Sequence, residues 1–150
     1  ENGLHVINPC LFSGKCPAAS LDNAFCHSDT DWTPPDDFLK IAKAAGIRKN
    51  ILKMSYFVFS KELPAGQEDK YIVVSDPMLS KSGFIRYYIC GRGERVTLRA
   101  KKDERSHMWY KDFTELKRGD IISFENAVLR ETGYLLDKTS TLTVIKKKFL

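Results

Sequence analysis

Phe84-Ile85-Arg86-Tyr87-Tyr88-Ile89-Cys90-Gly91-Arg92-Gly93-Glu94-Arg95-Val96-Thr97-Leu98-Arg99-Ala100 is the stretch on which the fold class turns. Phe84–Cys90 and Arg95–Ala100 read as strands, and Gly91-Arg92-Gly93 between them has the glycines that a tight hairpin reversal needs. The same succession of short run and breaker continues in both directions. Upstream, Met54–Lys61 and Tyr71–Ser75 are rich in aromatic and β-branched residues and are separated by the breaker Leu63-Pro64-Ala65-Gly66. Downstream, a looser segment over 106–112 leads to Leu116-Lys117-Arg118-Gly119-Asp120, a turn that launches Ile121–Phe124; Tyr134–Leu136 and Leu142–Lys147 close the set. Short strands with regular turns predict a mainly β fold, a small antiparallel barrel or sandwich of which an OB-like barrel is one form. The closing Lys146-Lys147-Lys148 reads as a solvated edge guard as readily as a binding site.

Ahead of the strands the pattern changes. Residues 1–34 have neither strand nor helix period, are dense in Pro, Gly, Ser, Asn and Asp, and hold three of the four cysteines. Such a segment needs an external tie to be ordered. Pro34-Pro35-Asp36-Asp37 then signals a helix start, with Phe38, Ile41, Ala42 and Ala45 at helical spacing and Gly46 as the stop. This helix is expected to serve as packing material, one of one or two short helices in all. The predicted organisation is a cysteine-rich metal-binding segment over 1–34 and a helix plus barrel or sandwich over 35–150, together forming one domain, which 150 residues suit. A start at Glu1 rather than methionine is expected of the carboxy-terminal piece of a longer protein. Hydrophobic residues at 43% and charged residues at 29% exclude the disordered and membrane classes. Apolar runs such as Tyr56-Phe57-Val58-Phe59 are too short to cross a bilayer, so the expectation is a soluble domain with no membrane partner.

Charge is unevenly placed. Residues 1–50 carry five basic and six acidic side chains, residues 51–150 nineteen and thirteen. The positive field therefore belongs to the second part, and a polyanion partner fits it. Arg86, Arg92, Arg95, Arg99, Lys101, Lys102 and Arg105 crowd around the hairpin that carries Cys90, interleaved with Tyr87 and Tyr88 and followed by Trp109 and Tyr110. In a strand Arg95 and Arg99 share one face. The seven cations are candidates for tracking phosphates while the aromatic rings stack on unpaired bases; the plain alternative is a solvated charged face with Tyr88 and Trp109 in the core.

Cys10, Cys16 and Cys26 lie in the irregular segment, and Cys90 follows sixty-four positions after Cys26. Three readings compete. Disulfides fit the even count, though nothing points to secretion. Inert buried thiols suit Cys90 better than the other three, whose flanks are polar, Gly or Pro. Metal ligation explains why the irregular stretch is ordered, because ligand binding becomes folding energy. Zinc favours closer cysteine pairs than these, and wider spacings tilt the choice towards a four-iron cluster without closing it. His5, His27 and His107 are ligands in principle, with surface or supporting roles favoured.

Asn8-Pro9-Cys10, Cys16-Pro17, Phe25-Cys26-His27 and Lys53-Met54-Ser55-Tyr56-Phe57-Val58 together resemble the carboxy-terminal region of the small-ribosomal-subunit methyltransferase-like family of bacteria and mitochondria. The resemblance spans about residues 8–91. It differs in having Phe25 where a tryptophan is usual, a longer run to the third cysteine and no acidic pair before the strand at Tyr56. It implies that Cys10, Cys16, Cys26 and Cys90 match the ligands of a 4Fe-4S cluster. It also implies association with ribosomal RNA or the small ribosomal subunit in assembly or translation, and an upstream methyltransferase-like domain in the parent chain. The compartment implied is the cytoplasm in a bacterium and the mitochondrial matrix in a eukaryote.

The family resembles S-adenosylmethionine-dependent rRNA methyltransferases, yet this chain carries no catalytic motif. No Gly-x-Gly follows a strand and opens a helix, and Asp36-Asp37, Glu68-Asp69 and Asp103-Glu104 fit capping or solvation better than acid–base work. The expected function is a ribosome-associated RNA-binding domain stabilised by a four-cysteine iron–sulfur cluster. The alternatives are a zinc-stabilised protein-interaction domain and a redox-sensing iron–sulfur domain.

Overall fold

The computed structural model describes residues 3–11, 14–22, 24, 26–47, 50–62, 66 and 68–146. Phe25, most of the predicted breaker at 63–66 and the closing Lys147-Lys148 lie outside them. In chain order the elements are β1 (His5–Asn8), a 3-10 turn (Pro17–Ser20), β2 (Ser28–Asp31), α1 (Asp36–Ala44), β3 (Ile51–Met54), β4 (Val58–Ser60), β5 (Tyr71–Val73), β6 (Met78–Leu79), β7 (Phe84–Gly91), β8 (Glu94–Lys101), α2 (Met108–Thr114), β9 (Ile121–Glu125), β10 (Val128–Arg130), β11 (Gly133–Leu135) and β12 (Thr141–Lys146). None of the described helices is long and apolar enough to cross a membrane.

The hairpin at 84–100 forms the centre of the molecule. Arg92 and Gly93 both take positive φ, 53° and 75°, the reversal whose twist matches that of the flanking strands. Around it the main sheet runs in the order β10-β11-β8-β7-β5-β9-β12, with β6 also paired to β7. Every pairing is antiparallel except β11 on β8. Gly133 sits at that parallel joint, where a Cβ would come within 2.1 Å of the Thr97 carbonyl oxygen. The protein is mainly β, and this sheet curls into a half-barrel.

The curl is held by side chains on one face. Ile85, Tyr87 and Ile89 of β7 alternate inward and join Leu98 and Ala100 of β8, Tyr71 and Val73 of β5, and Ile122 and Leu142. Helix α2 fills the concavity: Trp109 and Phe113, one helical turn apart, are buried, and the Phe113 ring meets Tyr87 edge to face at 5.2 Å. The indole N–H of Trp109 donates to the Asp137 carbonyl at 3.1 Å. Residues 106–112 carry no clear local pattern because the apolar pair is short and its surroundings polar; burial against the sheet makes Met108–Thr114 helical.

The amino-terminal part departs further from expectation. Residues 1–34, read as irregular, contain β1 and β2, four residues each. Their partners are remote: β1 pairs with β4 and β2 with β3, making two separate ribbons. Met54–Lys61, read as one strand, is accordingly broken at Ser55–Phe57, where the chain leaves one ribbon for the other. Helix α1 starts and stops as predicted, with Asp36 and Asp37 in its first turn and Gly46 at φ 68°. Its stripe is not a core face, however. Ala42 is buried, but Ile41 is 68% exposed, and Phe38 rests edge-on against Trp32 at 5.2 Å.

Candidate metal centre

The second face of the main sheet carries a smaller core of Ile72, Val74 and Leu11, bordered by Tyr88, Cys90 and Ile121. Leu11 is the anchor of the cysteine-rich segment, and it fixes Cys10 beside the sheet. Cys16 introduces the 3-10 turn, its carbonyl accepting the Ala19 N–H at 3.1 Å, and the buried Ala18 seats that turn. Cys26 precedes β2 and its carbonyl accepts the Ser55 hydroxyl at 3.3 Å. Cys90 lies in register between Ile72 of β5 and Arg95 of β8, in the middle of the sheet. All four cysteines line one cavity of about 30 Å³ with otherwise mostly apolar walls. A second cavity of about 150 Å³ shares Cys10, Cys16 and Cys26 and extends past His27, Met54 and Tyr56 to Arg118. The three loop thiols thus stand between the two spaces.

None of the four is in a disulfide. Burial, then the nearby thiols of Cys10, Cys16 and Cys26, push Cys90 up to about 12, with the Arg95 charge opposing them. Burial and the thiols of Cys26 and Cys16 also raise Cys10. The neutral thiol is therefore favoured at Cys10 and Cys90, and metal binding to those two would release protons. A tetrahedral zinc with bonds of about 2.3 Å would need sulfurs about 3.8 Å apart; no group of three or more His, Cys, Asp or Glu side chains among the described residues is arranged to hold one ion. The four thiols nonetheless border one hollow, and four cysteines are the donor chemistry that an iron–sulfur centre would use. One more feature matches an anionic occupant: Arg95 lines the smaller cavity with its Nη1 buried and without a hydrogen-bond partner among the described residues.

Arg118, read from sequence as part of a turn, proves to be the clamp between the cysteine loop and the sheet. Its Nη1 donates to the Val74 carbonyl at 2.7 Å and, more distantly, to that of His27 at 3.5 Å. Its Nε lies 3.3 Å from Asp29 Oδ2 and its Nη2 3.3 Å from Asp76 Oδ2. No local pattern could have found it, since its partners are forty and more positions away. His27 is held below its usual range by burial and by the Arg118 and Lys53 charges. The Lys53 ammonium is 2.8 Å from His27 Nε2 and can only donate, so that nitrogen's lone pair is engaged. Neither His5 nor His107 lines either cavity.

The seven predicted cations do not form one patch. Arg86 and Arg99 face each other across β7 and β8, with Arg86 exposed and the Arg99 guanidinium 5.6 Å from the Phe84 ring centroid. Lys101, Lys102 and Arg105 are exposed at the same end, Arg92 is exposed at the opposite tip, and Arg95 turns to the cysteine cavity. The aromatic platform expected beside them needs correction. Tyr87 and Trp109 are core residues, Tyr88 is half-buried under the Arg95 guanidinium at 5.1 Å, and the half-buried Tyr110 donates its hydroxyl to the Lys102 carbonyl. The pleat directs alternate rings inward, whatever their stacking potential.

No protein-family model, curated protein or solved structure matches the chain.

Proposed function

We propose that this domain is a ribosome-associated RNA-binding module of a small-subunit assembly or methyltransferase-like factor, and that Cys10, Cys16, Cys26 and Cys90 hold a 4Fe-4S cluster that ties its two parts together. The observation that carries the reading is that four thiols from two remote stretches of chain line one cavity. Bound there, the cluster supplies a shared anchor for four thiolates. The protein's own contribution is to seat that anchor between Ile72 and Val74 on one side and the Pro9 and Pro17 loops on the other, with Cys10 and Cys90 half-buried and Cys16 and Cys26 exposed. RNA is the partner favoured by the exposed cations at one end of the β7–β8 hairpin, Arg86, Lys101, Lys102 and Arg105, together with Arg99.

The direct test is anaerobic purification with metal and sulfide analysis. A brown protein with broad visible absorption and about four iron and four sulfide per chain is expected for a cubane held by four cysteines. A colourless protein with one zinc would replace the cluster with a structural ion. For the RNA surface, Arg86→Glu with Arg99→Glu should weaken binding to small-subunit RNA at least about tenfold and flatten its salt dependence. Unchanged affinity at moderate salt would remove the RNA half of the reading.

A further inference from the structure

Of the cations in the β7–β8 hairpin, Arg95 is the one that lines the cysteine cavity; Arg99, whose Nε is likewise buried without a partner among the described residues, lies over Phe84 and does not line it. Arg95 is also the cross-strand partner of Cys90, and all four cysteines share that cavity. Its guanidinium lies over the Tyr88 ring, which limits its freedom to swing out to solvent. Its Nη1 is buried and has no hydrogen-bond partner among the described residues. The adjacent carboxylate cannot serve, because Glu94 accepts from the hydroxyls of Tyr71 and Tyr134 on the other face of the sheet. A charged N–H enclosed without an acceptor is costly, and an acceptor placed in this cavity would relieve that cost. What the cavity offers as acceptors are sulfurs, and these become anionic when the centre is loaded.

We infer that Arg95 is the hydrogen-bond donor to a sulfur of the bound cluster, and that it sets the cluster's reduction potential rather than contacting RNA. The inference rests on the cluster reading above. Arg86 provides the contrast: it shares the sheet face but is exposed, as a phosphate-binding cation has to be. A cation that donates to cluster sulfur favours the electron-rich state, since net charge and hydrogen bonds to the sulfurs are what tune such centres.

The test compares reconstituted wild type, Arg95→Met, Arg95→Lys and Arg86→Met by iron content and redox titration. Arg95→Met removes charge and donor while keeping an apolar stem on Tyr88. It should still take up four irons, with reduction about tenfold less favourable, about 59 mV for one electron. Arg95→Lys should shift the midpoint less and in the same direction, and Arg86→Met should leave it unchanged. Equal midpoints for wild type and Arg95→Met would overturn the inference, as would an equal shift from Arg86→Met. If Arg95→Met takes up no iron, Arg95→Lys decides: a lowered midpoint or lost uptake supports the role, and an unchanged midpoint refutes it. A wild-type chain that takes up zinc and no iron removes the cluster reading and this inference together, a result visible before any variant is made.

Discussion

The half-barrel and the amino-terminal layer are stable for different reasons. All the buried hydrophobic side chains of the described residues except Leu11, Ala18 and Ala42 lie between Tyr71 and Leu142. The sheet thus has a core of its own, closed by α2. The layer before it consists of two short ribbons and a helix that leave Phe57, Phe59, Ile41 and Ile47 more than half exposed. Two-stranded ribbons of this length are marginal in water. What fastens them is a small number of points, namely Leu11 in its pocket, Arg118 with its four partners and, on the reading proposed above, a cluster held by the four thiols. A region held by its core loses stability in proportion to what is deleted, whereas a region held by staples fails when one staple is removed.

The sharpest way to break that comparison is Cys90→Ser, or removal of the proposed cluster by chelation. Structural metal centres contribute about 10 kcal/mol or more to small domains. Hydrogen exchange should therefore accelerate at least a hundredfold through β1–β4 while the amides of β7 and β8 keep their protection. Equal acceleration in both regions would show that they unfold as one unit. Phe113→Ala reverses the pattern. Truncating a ring buried at the centre of the core should cost about 3–5 kcal/mol in chemical denaturation, without changing the metal content of the protein that remains folded.

Alkaline titration should also single out the sheet. Burial, then the Asp120 and Asp76 charges, push Tyr87 up to about 12. The folded state favours the neutral phenol, so its contribution is whole below about pH 10 and is lost as pH rises towards 12, by about 3 kcal/mol. In Tyr87→Phe that part of the denaturation profile should flatten. The smallest expected effect is Arg118→Met, about 2 kcal/mol for charged hydrogen bonds of this kind. It should appear as faster proteolysis between Cys26 and Asp31 with an unaltered melting of the sheet; no change in cleavage would mean that the thiols alone seat the loop.

How much of this was readable follows from the range of each interaction. The hairpin at 84–100 was legible because its turn glycines and strand residues act on their neighbours. Helix α1 was legible in its ends, through Asp36, Asp37 and Gly46, but not in its surroundings, since Ile41 lies in water despite its helical spacing. The ribbons were not legible, because Ser28 pairs with Met54 and His5 with Ser60 across stretches with no periodic signal. The cysteines could be nominated from sequence as a set. That Arg95 belongs with them, and Tyr87 with the core, depends on which face of a strand each occupies.

Composition and local pattern alone determined that the chain is mainly β, that its positive charge lies in its second part and that its cysteines stand where no periodic burial accounts for them. Tertiary structure decided that those cysteines share a hollow, that Arg118 clamps the loop beside it and that one of the seven candidate cations, Arg95, turns towards it. The reason is physical: turns and strand propensity are settled within a few residues, whereas a site assembled from positions 10 to 118 exists only once the sheet has brought its faces together.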